Sequence, residues 1–120
     1  MSWLQSLPHQ IPFRAASTGR QVDEKTIEGT FLCTANDVLS PQIMLAEAMA
    51  QLAGGLVFRE GHGFLTGIDE YEIDRAIEPG DTVALTVTLE AKFGGTYRFS
   101  GTGSIGGLQC CRGRFYLAQA

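Results

Sequence analysis

SPQIMLAEAMAQLAGGLVFR, residues 40–59, is the stretch that decides how this chain folds. Ser40 offers a side-chain oxygen to the free amides of a first helical turn, and Pro41 follows at the position where a missing N–H costs nothing. A helix starts here. Between Ile43 and Phe58 the only polar side chains are Glu47 and Gln51, so the segment is apolar nearly all the way round and is expected to be wrapped by protein. It is shorter than the ~20 residues a bilayer span needs, and a carboxylate in mid-span would be costly there.

Glu47 and Gln51 stand four residues apart and share one face of the helix. A carboxylate buried among Met44, Ala46, Ala48 and Met49 has its ionised form disfavoured, which makes it a candidate proton shuttle. The alternative is a half-exposed or partner-satisfied glutamate with no chemical role. Ala46, Ala50, Ala53, Gly54 and Gly55 leave the helix thin. The two glycines cost roughly 1–2 kcal/mol of helix propensity, which close approach of another backbone would offset.

The chain has 120 residues, enough for one domain spanning 1–120. Its formal charge of −4, with nine Lys and Arg in all, gives no electrostatic footprint for nucleic acid. Residues 1–12 show neither a basic leader nor an apolar run of secretory length, so a cytoplasmic protein without a membrane segment is expected. Cys33, Cys110 and Cys111 are odd in number and lack metal-ligand spacing, so neither a disulfide, a metal nor any other cofactor is expected.

Trp3, Leu4 and Leu7 suit one short helical turn, stopped at Pro8. An extended lead-in containing His9, read as a turn histidine, runs into a first strand ending near Val22, and VDEK turns the chain. TIEGTFLCTAND reads as a second strand with Ile27, Gly29, Phe31 and Cys33 on one face, paired to the first as a hairpin. After the helix, EGHG leads into FLTGIDEYEIDRAI, a strand with one irregularity, closed by Pro79-Gly80-Asp81. TVALTVTLEAK alternates clearly, with Val83, Leu85, Val87 and Leu89 on the buried face. FGG and then GG turn the chain through a three-stranded meander. One antiparallel sheet curling round one helix, an α+β fold, satisfies this order.

Four motifs in order, LPHQIPF (7–13), EAMAQLAG (47–54), FLTGID (64–69) and EPGD (78–81), resemble the FabZ-type (3R)-hydroxyacyl-[acyl carrier protein] dehydratases. The resemblance covers nearly the whole chain. It implies a single hotdog domain, an antiparallel sheet wrapped around one long central helix, acting on thioesters of acyl carrier protein or coenzyme A. It also implies a homodimer with its site between subunits. In that family a histidine in a GHFP segment ahead of the helix takes the substrate's α-proton, and the helix glutamate handles the departing hydroxyl.

Glu47 matches that glutamate, but no histidine matches. Laying GHF on Gly29-Thr30-Phe31 shortens the first hairpin too far. Matching TAND at 34–37 to the end of the second strand leaves only Val38-Leu39 before the helix cap. Both alignments remove the base. The shortened loop is similar to that of a divergent subgroup found with aryl-polyene and polyketide pathways.

Two functions follow from this reading. The first is thioester chemistry, either a dehydratase with a base from elsewhere or a thioesterase in which Glu47 activates water. Gln51 would orient carboxylate or substrate, and the first turn, Ser40, Gln42 and Ile43, would hold the thioester carbonyl at free amides and the helix dipole. His62 and Cys33 are the candidate replacement groups, against plainer readings as a loop histidine and a small core residue. The second is a non-catalytic acyl-binding scaffold, in a heteromer with an active homologue. Arg98, Arg112 and Arg114 are expected to face solvent, either as edge-protecting charges or as a patch for an acidic carrier protein.

Overall fold

The computed structural model describes residue 16 and residues 18–34, 40–57 and 63–119, the side chains of residues 41, 42, 63, 64 and 119 excepted. The expected turn at Trp3–Leu7, His9, most of the TAND segment and His62 lie outside the described residues.

The elements follow the expected order: β1 (Thr18–Gln21), β2 (Thr26–Leu32), α1 (Pro41–Val57), β3 (Gly63–Ile73), β4 (Thr82–Phe93), β5 (Thr96–Ile105) and β6 (Leu108–Gln119). The strands form one six-stranded antiparallel sheet ordered β1-β2-β4-β5-β6-β3, so the chain crosses the sheet between β2 and the far edge by way of α1. Ser40 caps the helix as its sequence predicts. Its Oγ accepts the Ile43 N–H at 3.3 Å and its carbonyl accepts the Met44 N–H at 3.0 Å. Such a cap is worth about 1 kcal/mol.

Alternation sorts each strand into an inner and an outer face. Ile27, Phe31 and Cys33 from the β2 end, Val83, Leu85 and Val87 from β4, and Phe99 from β5 are buried against Leu45, Met49 and Leu52 of α1. Phe99 and Phe115 stack with ring centroids 5.8 Å apart. Each large apolar side chain so buried contributes about 1.5–3 kcal/mol before entropic costs. The outer face carries small polar groups, including a bond of 2.8 Å between the hydroxyls of Thr18 and Thr30.

Glycines on the inner face set how closely the helix approaches. A Cβ on Gly29 would stand 2.7 Å from a Leu52 methyl and 2.4 Å from the Thr18 carbonyl oxygen, and one on Gly101 would stand 2.7 Å from Met49 Sδ. Sheet glycines thus make room for helix side chains. The β5–β6 turn needs positive φ at both central positions, and Gly106 and Gly107 supply it at 59° and 85°.

Two expectations need correction. The helix is not covered all round: Ile43 is 54% exposed, and Ala46, Glu47 and Gly54 are half-buried, so a stripe of small residues is left partly open. β3 has two register shifts against β6, not one, between Leu65 and Gly67 and between Asp69 and Glu72. In the second, Glu70 and Tyr71 stand opposite Gly113 alone, and Glu70 has φ 54°. A non-glycine residue there costs on the order of 1–3 kcal/mol and persists only where its surroundings hold it.

Candidate functional site

The site is built on the middle of α1. Glu47 is half-buried on the open stripe, where the sequence suggested a buried carboxylate. The physical reason is the incomplete cover of that stripe. Gln51, one turn further on and about 5–6 Å away between Cβ atoms, is 2% exposed. Its Oε1 accepts the backbone N–H of Ala16 at 3.1 Å, while its Nε2 is buried with no hydrogen-bond partner among the described residues. A buried donor left unpaired costs about 1–3 kcal/mol.

The first helical turn is partly engaged already. The Ile43 amide serves the Ser40 cap and the Ser40 hydroxyl is exposed, while the side chain of Gln42 lies outside the description. Cys33 is buried, and its backbone is fastened to the Pro79–Asp81 turn by bonds of 2.9 Å to Asp81 and Gly80. It behaves as a small core residue.

Between α1 and the sheet, with Ala46, the residue before Glu47, in its wall, lies an apolar cavity of about 10 Å³ lined also by Met49 of α1, Leu65, Ile68 and Tyr71 of β3, and Phe115 of β6. Tyr71 escaped the sequence reading as a site residue, although its offset from Ile68 and Ile73 signals the irregularity that turns it inward. Burial pushes its phenol well above the ordinary 10.0, with the Cys111 and Cys110 thiols adding to the effect. Burial likewise pushes the Cys111 thiol up to about 12, helped by Cys110, whose Sγ is 3.9 Å away.

Two larger hollows, about 440 and 410 Å³, open on the outer face and are remote from Glu47. Arg112 and Arg114 line the second of them, each already paired with glutamate. Arg112 pairs with Glu72 at 2.7 Å, and Arg114 bridges Glu90 at 3.0 Å and Glu70 at 3.1 Å. Arg98 stands 3.5 Å from the same Glu90 oxygen without hydrogen-bond geometry. Among the described residues no cluster of three or more His, Cys, Asp or Glu could hold a metal ion, and no helix is long and apolar enough to cross a membrane.

A single long helix laid across the inner face of one antiparallel sheet, with a carboxylate on its open stripe, defines a hotdog-fold protein. The chain belongs to the FabZ family of 3-hydroxyacyl-[acyl-carrier-protein] dehydratases. It is 32% identical over 130 residues to the FabZ dehydratase of Paracidovorax citrulli, covering 90% of this chain and 87% of that one. The match to the FabZ dehydratase of Cronobacter sakazakii, 29% identical, runs over 139 positions and covers 98% of this chain and 89% of that one. This chain has only 120 residues, so at least 19 of those positions have no counterpart in it. In fold it resembles a chain of the dehydratase heterocomplex ApeI:P from Xenorhabdus doucetiae, with a TM-score of 0.82 and 19% identity over 100% of this chain and 91% of that one. No protein-family model matches the chain.

Proposed function

We propose that this protein processes acyl thioesters of acyl carrier protein or coenzyme A in the cytoplasm, as a dehydratase-like subunit of fatty-acid, polyketide or aryl-polyene type metabolism. One observation carries the reading: a half-buried carboxylate, Glu47, stands one helical turn from Gln51, whose buried amide has a donor with no partner among the described residues. In dehydration of a 3-hydroxyacyl thioester the Cα–H and Cβ–O bonds break, a C=C bond forms and water leaves. Glu47 carries the proton to the departing hydroxyl. Gln51 Nε2 donates to a substrate oxygen, and the first turn at Ser40, Gln42 and Ile43 faces the thioester carbonyl.

No residue of this chain matches the base that takes the α-proton in the resembled family. We therefore assign that base to a second subunit across an interface at the β3 edge, where Ile68 is 47% exposed and, among the described residues, the strand pairs on one side only. A heteromer with a histidine-bearing homologue supplies it. The lack of a residue matching the GHFP histidine also favours a second reading, a non-catalytic acyl-binding subunit.

Mass spectrometry of 3-hydroxyacyl thioesters incubated with the chain, alone and mixed with a histidine-bearing homologue, tests both. The enoyl product is expected in the mixture, and Glu47→Gln should lower its rate by ~10²–10⁴. Equal rates from wild type and folded Glu47→Gln leave only the acyl-binding reading. Release of free acid by the chain alone, lost in Glu47→Gln, identifies the thioesterase instead.

A further inference from the structure

Tyr71 is placed by a distortion of the backbone rather than by the regular alternation of its strand. The shift between Asp69 and Glu72 sets Glu70 and Tyr71 opposite Gly113, and Glu70 takes a left-handed φ of 54°, with its carboxylate held 3.1 Å from Arg114. A side chain that a regular strand would direct elsewhere is thereby laid on the inner face.

Gly113 receives it. A Cβ there would stand 2.9 Å from Tyr71 Cδ1 and 3.5 Å from Tyr71 Cα, so any larger residue would push the ring away. The phenol runs on toward Cys110 and Cys111, whose thiols bear on its ionisation. What remains between the ring and Ala46, Met49, Leu65 and Phe115 is a cavity of about 10 Å³. That is at most one water's worth of room, and no methylene fits without displacing a side chain. Every other side chain lining this space is apolar, and the space begins at Ala46, the residue before Glu47. An apolar chain attached to a group reacting at Glu47 would enter here and meet the tyrosine ring.

We propose that Tyr71 is the stopper of the acyl site and sets a short limit on the chain it accepts, so that the substrate class is short-chain acyl thioesters. This rests on the acyl-thioester reading centred on Glu47. The bulge, with its strained Glu70 and the bare Gly113 opposite, holds the ring in place and keeps longer chains out.

The test measures calorimetric binding of butyryl, octanoyl and dodecanoyl pantetheine amides, which resist hydrolysis, to the full chain and to Tyr71→Ala, Tyr71→Leu and Tyr71→Phe. Wild type and Tyr71→Phe are expected to bind the butyryl amide with no gain from added length. Tyr71→Ala should gain on the order of tenfold or more for octanoyl, since each newly buried methylene is worth about fourfold. If Tyr71→Ala does not fold, Tyr71→Leu carries the same expectation with a smaller gain. An unchanged length profile in a folded Ala or Leu variant overturns the stopper and leaves the thioester reading standing. A shift in Tyr71→Phe as large as in Tyr71→Ala also overturns it, because the hydroxyl and not the ring would then set the limit. Binding of none of the amides by any of the proteins overturns both readings together.

Discussion

Oε1 of Gln51 accepts the backbone N–H of Ala16 at 3.1 Å, joining the middle of the central helix to the lead-in of the first strand across 35 residues of sequence. The bond satisfies a main-chain donor that is fully buried. Gln51→Met keeps the volume but leaves the Ala16 amide unpaired, so it should lower stability by about 1–3 kcal/mol. Urea unfolding measures this. A variant as stable as wild type would show that relief of the unpaired Nε2 offsets the lost bond.

Gly29 and Gly101 both admit helix side chains, but what surrounds them differs in stiffness. At Gly29 a new methyl meets the Thr18 carbonyl as well as Leu52, whereas at Gly101 it meets the flexible end of Met49 first. Gly29→Ala is expected to cost about 3 kcal/mol and Gly101→Ala about 1 kcal/mol. Chemical denaturation of the two variants should show that order, and the reverse order would mean that β1 yields more easily than the thioether.

Alkaline solution should weaken the fold through Cys111 and Tyr71. Both are acids whose neutral form the fold favours. Below pH 9.0 the Cys111 thiol is protonated in folded and unfolded chains alike. Above it the unfolded chain sheds the proton while the fold retains it up to about 12. Stability therefore declines as pH rises across that window, by about 1.4 kcal/mol per pH unit for each such group, with Tyr71 joining above 10.0. Denaturation midpoints of wild type and Cys111→Ala over alkaline pH provide the check. The variant should lose the part of the slope that begins near pH 9.0, and an identical slope would remove Cys111 from the account.

Arg112 and Arg114 are expected to contribute little to binding an acidic carrier protein, because each is already matched by glutamates on the same face. A double Arg112→Gln, Arg114→Gln variant should keep wild-type carrier affinity and salt dependence in a titration followed by fluorescence anisotropy. A marked loss at low salt would restore the carrier patch.

The sequence made legible whatever depends on neighbours close in the chain. Ser40-Pro41 marked the helix start, Val83 to Leu89 marked a strand with one dry face, and the glycine pairs marked the hairpins. The pairing of glutamine with a distant backbone amide could not be read there, because nothing near Gln51 or Ala16 in sequence announces the other. The depth of Glu47 was misjudged for a related reason. Apolar neighbours along a helix say that its surface wants cover, but sheet geometry decides which stripe receives it. The arginines were correctly placed outside the core, whereas their glutamate partners depend on register across four strands, β3 to β6, and on bulges at Glu90 and Glu70.

The placing of β3 at the sheet edge against β6 also constrains how this protein can be made. Gly63 pairs with Gln119 and Ile73 with Cys111, so a strand synthesised midway through the chain must wait for nearly all the rest before it has a partner. β4, β5 and β6 can join through their two-residue turns as they emerge from the ribosome. β3 cannot, and until then its backbone groups and Ile68 stay unprotected. Asp69, Glu70 and Glu72 give it the negative charges that disfavour chance pairing of an exposed edge with a like strand.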